Sequence, residues 1–235
     1  MNIQCVSFPI FSIFVDYWKQ ITHYGCWISM NYIAFKDYFS QYPCFNINQI
    51  LTWFPRFDKN NLTRWIKKGL LIRLRRGVYA FPGTSITPDV IYFFANKMYV
   101  PSYISLHSAL AFYGLIPEAV VHTTSVTTLK TKEFNNRLGK FIYKSVKKEL
   151  FFGYELKEFN NKMSIQFATK EKALLDLLYL YPFYKTEEDI VDLRLDYDLM
   201  RDDFDWDLFS QYTKKINSGT LNKKVALVRK IFLES

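Results

Sequence analysis

Cysteine and histidine are scarce in this 235-residue chain. It has three cysteines (Cys5, Cys26 and Cys44), three histidines (His23, His107 and His122) and no Cys-x-x-Cys pair. That excludes the usual zinc patterns and a disulfide framework, and makes the reducing cytoplasm the expected compartment. Glycine and proline number eight each, too few for a low-complexity linker. No apolar run reaches the ~20 residues needed to span a bilayer. Gly-x-Ser-x-Gly, P-loop and His-Glu-x-x-His signatures are missing, so no enzyme and no cofactor are expected. With 49% hydrophobic and 23% charged residues the chain is not of the disordered class, and its length fits one or two domains.

Aromatic residues and positive charge are abundant. Phe, Tyr and Trp make up 19% of the chain, and 31 Lys and Arg oppose 22 Asp and Glu for a net +9. Such a balance favours an anionic partner, nucleic acid or a membrane surface. The charge is uneven: residues 30–87 carry nine basic and two acidic side chains, whereas residues 186–235 carry eight and eleven. A basic binding module followed by a domain with another task fits that asymmetry. Residues 1–29 lack a basic leader region and a cleavage site, and Asp16 and Lys19 interrupt their apolar stretch. They read as an over-extended start with synthesis beginning at Met30. A packed extension and a membrane or export segment are the alternatives.

Residues 30–82 read as a winged helix-turn-helix. Ile33, Phe35, Tyr38 and Phe39 make one face of a first helix that ends by Pro43. Asn46 is a candidate cap for a second helix, carried by Ile47, Ile50, Leu51 and Phe54 and stopped by Pro55. Asp58 is a candidate cap for a third, over residues 59–68, closed by Gly69. There Leu62, Trp65 and Ile66 share a face, leaving Lys59, Asn60, Asn61, Thr63, Arg64, Lys67 and Lys68 outward. Amides, a hydroxyl and cations are the groups that read base edges and neutralise phosphates. Residues 70–81 then form a hairpin turning at Arg76-Gly77, with Arg73, Arg75 and Arg76 near its tip. Lys and Arg supply affinity with steep salt dependence, and Asn60, Asn61, Thr63 and Arg64 are the better base-reading candidates.

Residues 83–235 read as an α+β domain with an acidic helical end. Helices are expected over 88–99, 105–113 and 169–181, and strands over 120–128, 140–146, 152–158 and 163–167, the last two joined by an Asn160-Asn161 turn. That order predicts a sheet with helices on one side. Phe141, Tyr143, Phe151, Phe152, Tyr154 and Phe167 fall at strand spacing, as core residues do. In the tail, Thr186-Glu187-Glu188-Asp189 fits a helix start. A helix over 206–216 is broken at Gly219 and followed by one over 221–233. The Asp202, Asp203, Asp205 and Asp207 cluster reads as a solvated helix N-terminus, since it lacks the layout of a calcium loop.

The run RLRRGVYAFP (residues 73–82) is followed by ANKMY (95–99), PSYISLHSALAFYGLIPEAV (101–120), TSVTTLKTKEF (124–134), ELFFGYEL (149–156) and ATKEKALLDLLYLYP (168–182). This order resembles the AbiEi family of antitoxins over residues 31–198. The resemblance implies a type IV toxin–antitoxin system of abortive infection and phage defence. In that family the winged helix binds inverted repeats in the operon's own promoter and represses it. The C-terminal domain counters AbiEii, a nucleotidyltransferase-like toxin, without direct binding being assumed. Carried over, it places DNA on residues 59–68 and 73–76. A secondary basic surface comprises Lys130, Lys132, Arg137, Lys140, Lys144, Lys147 and Lys148. Two other readings stand beside it. One is a winged-helix regulator with a ligand-sensing second domain and no toxin partner. The other is a metal-dependent nuclease using Glu155-Leu156-Lys157.

Overall fold

The computed structural model describes residues 30–83, 85–117, 121–159 and 163–233. The reading of residues 1–29 and the Asn160-Asn161 turn lie outside the described residues. The chain divides into two compact units between Gln41 and Tyr42.

In the first unit, Asn31 accepts the Ala34 N–H and starts helix α1, Tyr32–Phe39, whose buried residues are Phe35 and Phe39. The expected helix ran to residue 42. It stops three residues earlier, where Ser40 donates to the Lys36 carbonyl.

The second unit opens on strand β1, Phe45–Asn46, which the sequence reading did not anticipate. Asn46 then caps α2, Ile47–Trp53, through a reciprocal pair: its Oδ1 accepts the Gln49 N–H at 2.9 Å and Gln49 Oε1 accepts the Asn46 N–H at 2.8 Å. Helix α3, Asn60–Lys67, starts one residue later than expected, and Asp58 Oδ1 accepts the Asn60 N–H at 2.9 Å. Gly69 closes it in the left-handed conformation, with Leu70 N–H bonded back to the Trp65 carbonyl. Strands β2, Ile72–Arg75, and β3, Val78–Ala80, form the hairpin, and β1 pairs on the far side of β3. The expected two-stranded hairpin is therefore a three-stranded sheet. Its β2 edge carries an irregularity between Arg73 and Arg75. That shift breaks the two-residue alternation of a regular strand, and Leu71 and Leu74 are both buried.

After α4, Pro88–Met98, comes a six-stranded mixed sheet in the order β6-β7-β5-β4-β9-β8. Its strands are β4 Ser102–Ile104, β5 His122–Thr127, β6 Lys132–Asn136, β7 Gly139–Ser145, β8 Tyr154–Phe159 and β9 Met163–Ala168. Helix α5, Leu106–Phe112, follows β4, and α6, Lys170–Leu180, follows β9. The sheet has helices on both faces, not on one as expected. Tyr143 pairs with Ser125 and Ser125 with Ile104, so these share a face, and Tyr143 OH donates to the Ala95 carbonyl of α4 at 2.7 Å. Tyr103 points the other way and reaches Asp176 of α6. The signal was in β4, where Ser102, Tyr103 and Ile104 are all buried. A strand covered on both sides shows no alternation.

The core continues across the expected boundary at residues 82/83. Leu74, Val78 and Ala80 of the hairpin belong to the same buried cluster as Phe94, Tyr103, Tyr143 and Phe167. Asn136 of β6 donates to the Leu74 carbonyl at 2.9 Å, joining the two sheets. The acidic tail joins this core as well, as helices α7 Glu187–Val191, α8 Tyr197–Asp202, α9 Trp206–Ile216 and α10 Gly219–Leu233. Gly219 begins α10; the break falls at Asn217, which is left-handed. Buried Lys224 donates to the Leu178 and Tyr181 carbonyls at 2.7 and 2.8 Å, filling acceptors that the C-terminus of α6 leaves open.

A buried polar network surrounds Lys172. Lys172 is fully buried and donates to Tyr103 OH at 2.9 Å and to Asp176. Tyr103 OH and Ser105 Oγ donate to Asp176 Oδ2 at 2.9 and 2.8 Å. Burial, then the neighbouring Asp176, holds the Tyr103 phenol well above its usual range. Gly153 closes the site, since a Cβ there would sit 2.9 Å from Lys172 Cγ.

Candidate nucleic-acid interface

Helix α3 is split lengthwise. Leu62 and Trp65 are buried, and Phe57 packs on Trp65 with ring centroids 5.9 Å apart. Lys59, Asn60, Thr63, Arg64, Lys67 and Lys68 are exposed, and Asn61 is half-buried. Arg64 Nη2 donates to Asp58 Oδ2 at 3.0 Å and to Asn61 Oδ1 at 2.7 Å, so Asn61 is occupied by its neighbour. Lys59, Lys67 and Lys68 make no ion pair among the described residues.

The hairpin that follows carries two exposed cations. Arg73 and Arg76 are exposed. The turn between β2 and β3 rests on Gly77, whose φ of 84° suits glycine and whose carbonyl accepts the Ile47 N–H at 2.9 Å. That bond ties the hairpin tip to the first residue of α2. Arg75 has a different environment. It is half-buried, with its guanidinium 6.0 Å over the Phe134 ring of β6. The β2 irregularity beside buried Leu74 thus sets Arg75 against the six-stranded sheet, apart from the exposed cations.

The secondary basic residues do not share one face. Lys132 pairs with Tyr143 and Lys140 with Asn135, which puts Lys132 on the opposite side of the pleat from Lys140 and Lys144. Lys140 is paired with Glu133 at 2.8 Å, and Lys144 lies 5.4 Å over the Tyr181 ring. Lys130, Arg137, Lys147 and Lys148 are exposed on the flanking loops and turns.

The remaining candidates resolve into structural contacts. Lys157 pairs with Glu155 at 2.8 Å and lies over the Tyr113 ring. His107 packs edge-on against Tyr181. Within the aspartate cluster, Asp203 pairs with Lys170, Asp205 Oδ1 caps α9 at the Leu208 N–H, and Asp202 pairs with Arg201. Among the described residues no group of three or more His, Cys, Asp or Glu is placed to hold a metal, and no helix is long and apolar enough to cross a membrane. The buried network around Lys172 went unread in the sequence. Its one local signal is the four-residue spacing of Lys172 and Asp176 on a helix.

No curated protein matches the chain. Residues 55–82 match the family model AbiEi_4, described as a transcriptional regulator, AbiEi antitoxin. The matched segment contains α3 and the β2–β3 hairpin, and over it the chain is similar to that family.

Proposed function

We propose that this chain is a DNA-binding antitoxin that represses its own operon. In this reading residues 30–82 act as a winged helix-turn-helix on inverted repeats in the promoter, and residues 83–235 counter a nucleotidyltransferase-like toxin from the cytoplasm. The observation that carries it is the outward face of α3. Lys59, Asn60, Thr63, Arg64, Lys67 and Lys68 stand exposed there, with Arg73 and Arg76 exposed on the following hairpin. The element order, helix, short strand, two helices and a hairpin, supports a winged helix. Cations neutralise phosphates and release counterions, while amides, the hydroxyl and the guanidinium face base edges. Arg75 contributes through the position of the hairpin, given its contact with Phe134.

The test is binding of the full-length protein to its own upstream duplex and to a scrambled duplex across a salt series. Sequence-selective binding with a steep salt slope is expected. Lys67→Ala and Arg76→Ala should each weaken binding to both duplexes and lower the slope by about one. Equal, weak binding to the two duplexes refutes the autorepressor reading. Rescue of growth when the protein is co-expressed with the toxin from its own operon tests the antitoxin half.

A further inference from the structure

Asp58 does two jobs with two oxygens. Oδ1 accepts the Asn60 N–H at 2.9 Å and sets the first turn of α3, while Oδ2 accepts Arg64 Nη2 at 3.0 Å. Asn61 Oδ1 takes a second bond from the same Nη2 at 2.7 Å. The Arg64 and Asp58 side chains remain 62% and 50% exposed, so the guanidinium is tethered and still open to a ligand. An exposed ion pair adds little to fold stability. Its effect here is conformational, because a long side chain that is already held loses less freedom when it binds. The other exposed cations on and beside α3 and on the hairpin, Lys59, Lys67, Lys68, Arg73 and Arg76, make no ion pair among the described residues.

We propose that Asp58 is a positioning residue that makes Arg64 the specificity-determining side chain of α3, directed at a guanine in the major groove. The proposal rests on the DNA-binding reading above. Guanine presents two acceptors, O6 and N7, that a planar guanidinium meets with two parallel N–H groups. Nη2 has two hydrogens. Asp58 keeps one, Asn61 yields the other to the base, and Nη1 supplies the second donor. A carboxylate at the surface of a DNA-binding helix also repels phosphates. Loss of Asp58 therefore acts in opposite directions on affinity and on selectivity, which a merely structural residue does not do.

The experiment selects binding sites from a randomised duplex pool with full-length wild type, Asp58→Asn and Arg64→Lys, then titrates the selected duplex against a scrambled one. Asparagine keeps an oxygen for the Asn60 N–H but turns an NH₂ group toward Arg64. Asp58→Asn should bind the scrambled duplex as well as wild type or better. Its selected-to-scrambled affinity ratio should fall about tenfold, with the guanine preference lost at one position. Arg64→Lys should lose the same guanine. An unchanged ratio and motif in Asp58→Asn overturns the positioning role while leaving DNA binding intact. A proportional loss on both duplexes also overturns it, as the mark of a structural role. Wild type that selects no sequence overturns this proposal together with the reading it rests on.

Discussion

Replacing Lys172 with methionine is expected to destabilise the fold by about 3–5 kcal/mol, the usual loss when one partner of a buried ion pair is removed. Lys172 is fully buried, and Asp176 beside it is 2% exposed. Methionine fills similar volume but leaves the Asp176 carboxylate with only two hydroxyl donors, Tyr103 and Ser105. With a urea dependence near 2–3 kcal/mol per molar, the unfolding midpoint should drop by roughly 1–2.5 M. Asp176→Asn should cost a similar amount, because it strands the ammonium group. The double variant should cost at least about 2 kcal/mol less than the sum, since neither charge is then left alone. Urea titrations of the four proteins followed by circular dichroism give the cycle. A loss below about 1 kcal/mol for Lys172→Met, or strict additivity, would show that the pair is not coupled as its hydrogen bonds imply.

Gly153→Ala should destabilise by about 1–3 kcal/mol in the same titration, since its φ is 71° and the new Cβ meets Lys172 Cγ at 2.9 Å. Asn46→Ala removes the side-chain acceptor of the α2 capping pair while keeping the backbone N–H that donates to Gln49, and should cost about 1 kcal/mol, with Asn46→Asp retaining most of it. Burial pushes the Cys44 thiol up to about 12 and raises the Tyr103 and Tyr143 phenols. The unfolded chain ionises these groups first, so the stability they confer is intact below about pH 8.5 and is lost as pH rises toward 12. A flat urea midpoint between pH 8 and pH 11 would contradict this. Peptide mapping after iodoacetamide treatment at pH 8 should find Cys44 unmodified in the native protein and alkylated in urea.

Local signals were legible wherever one side chain decides one turn. Asn46, Thr169 and Thr186 cap the helices expected of them, and Gly69 and Gly77 adopt the positive φ expected of their turns. Helix α3 was readable because a single stripe, Leu62 and Trp65, separates its buried side from its cationic side. Strands β1, β4 and β6 escaped notice for different reasons. β1 has two residues, β4 has no alternation because both its faces are covered, and β6 is an edge strand rich in polar residues.

The candidate site divides along the same line. That α3 carries amides and cations follows from residue order and a period of 3.6. That Arg64 is tethered while Lys67 is not requires Asp58, six positions away, to fold back over the first turn of the helix. Arg75 looked equivalent to Arg73 and Arg76 in the sequence. An irregularity in β2 and the ring of Phe134, fifty-nine positions further along, set it apart. The basic run from Lys130 to Lys148 likewise reads as one patch until the register of β6 on β7 sends its side chains to opposite faces. Capping, helical periodicity and turn chemistry act within a few residues, so composition and spacing determine them. Which cations stand free together depends on strand register and on contacts between residues far apart in the chain, and only the tertiary structure decides those.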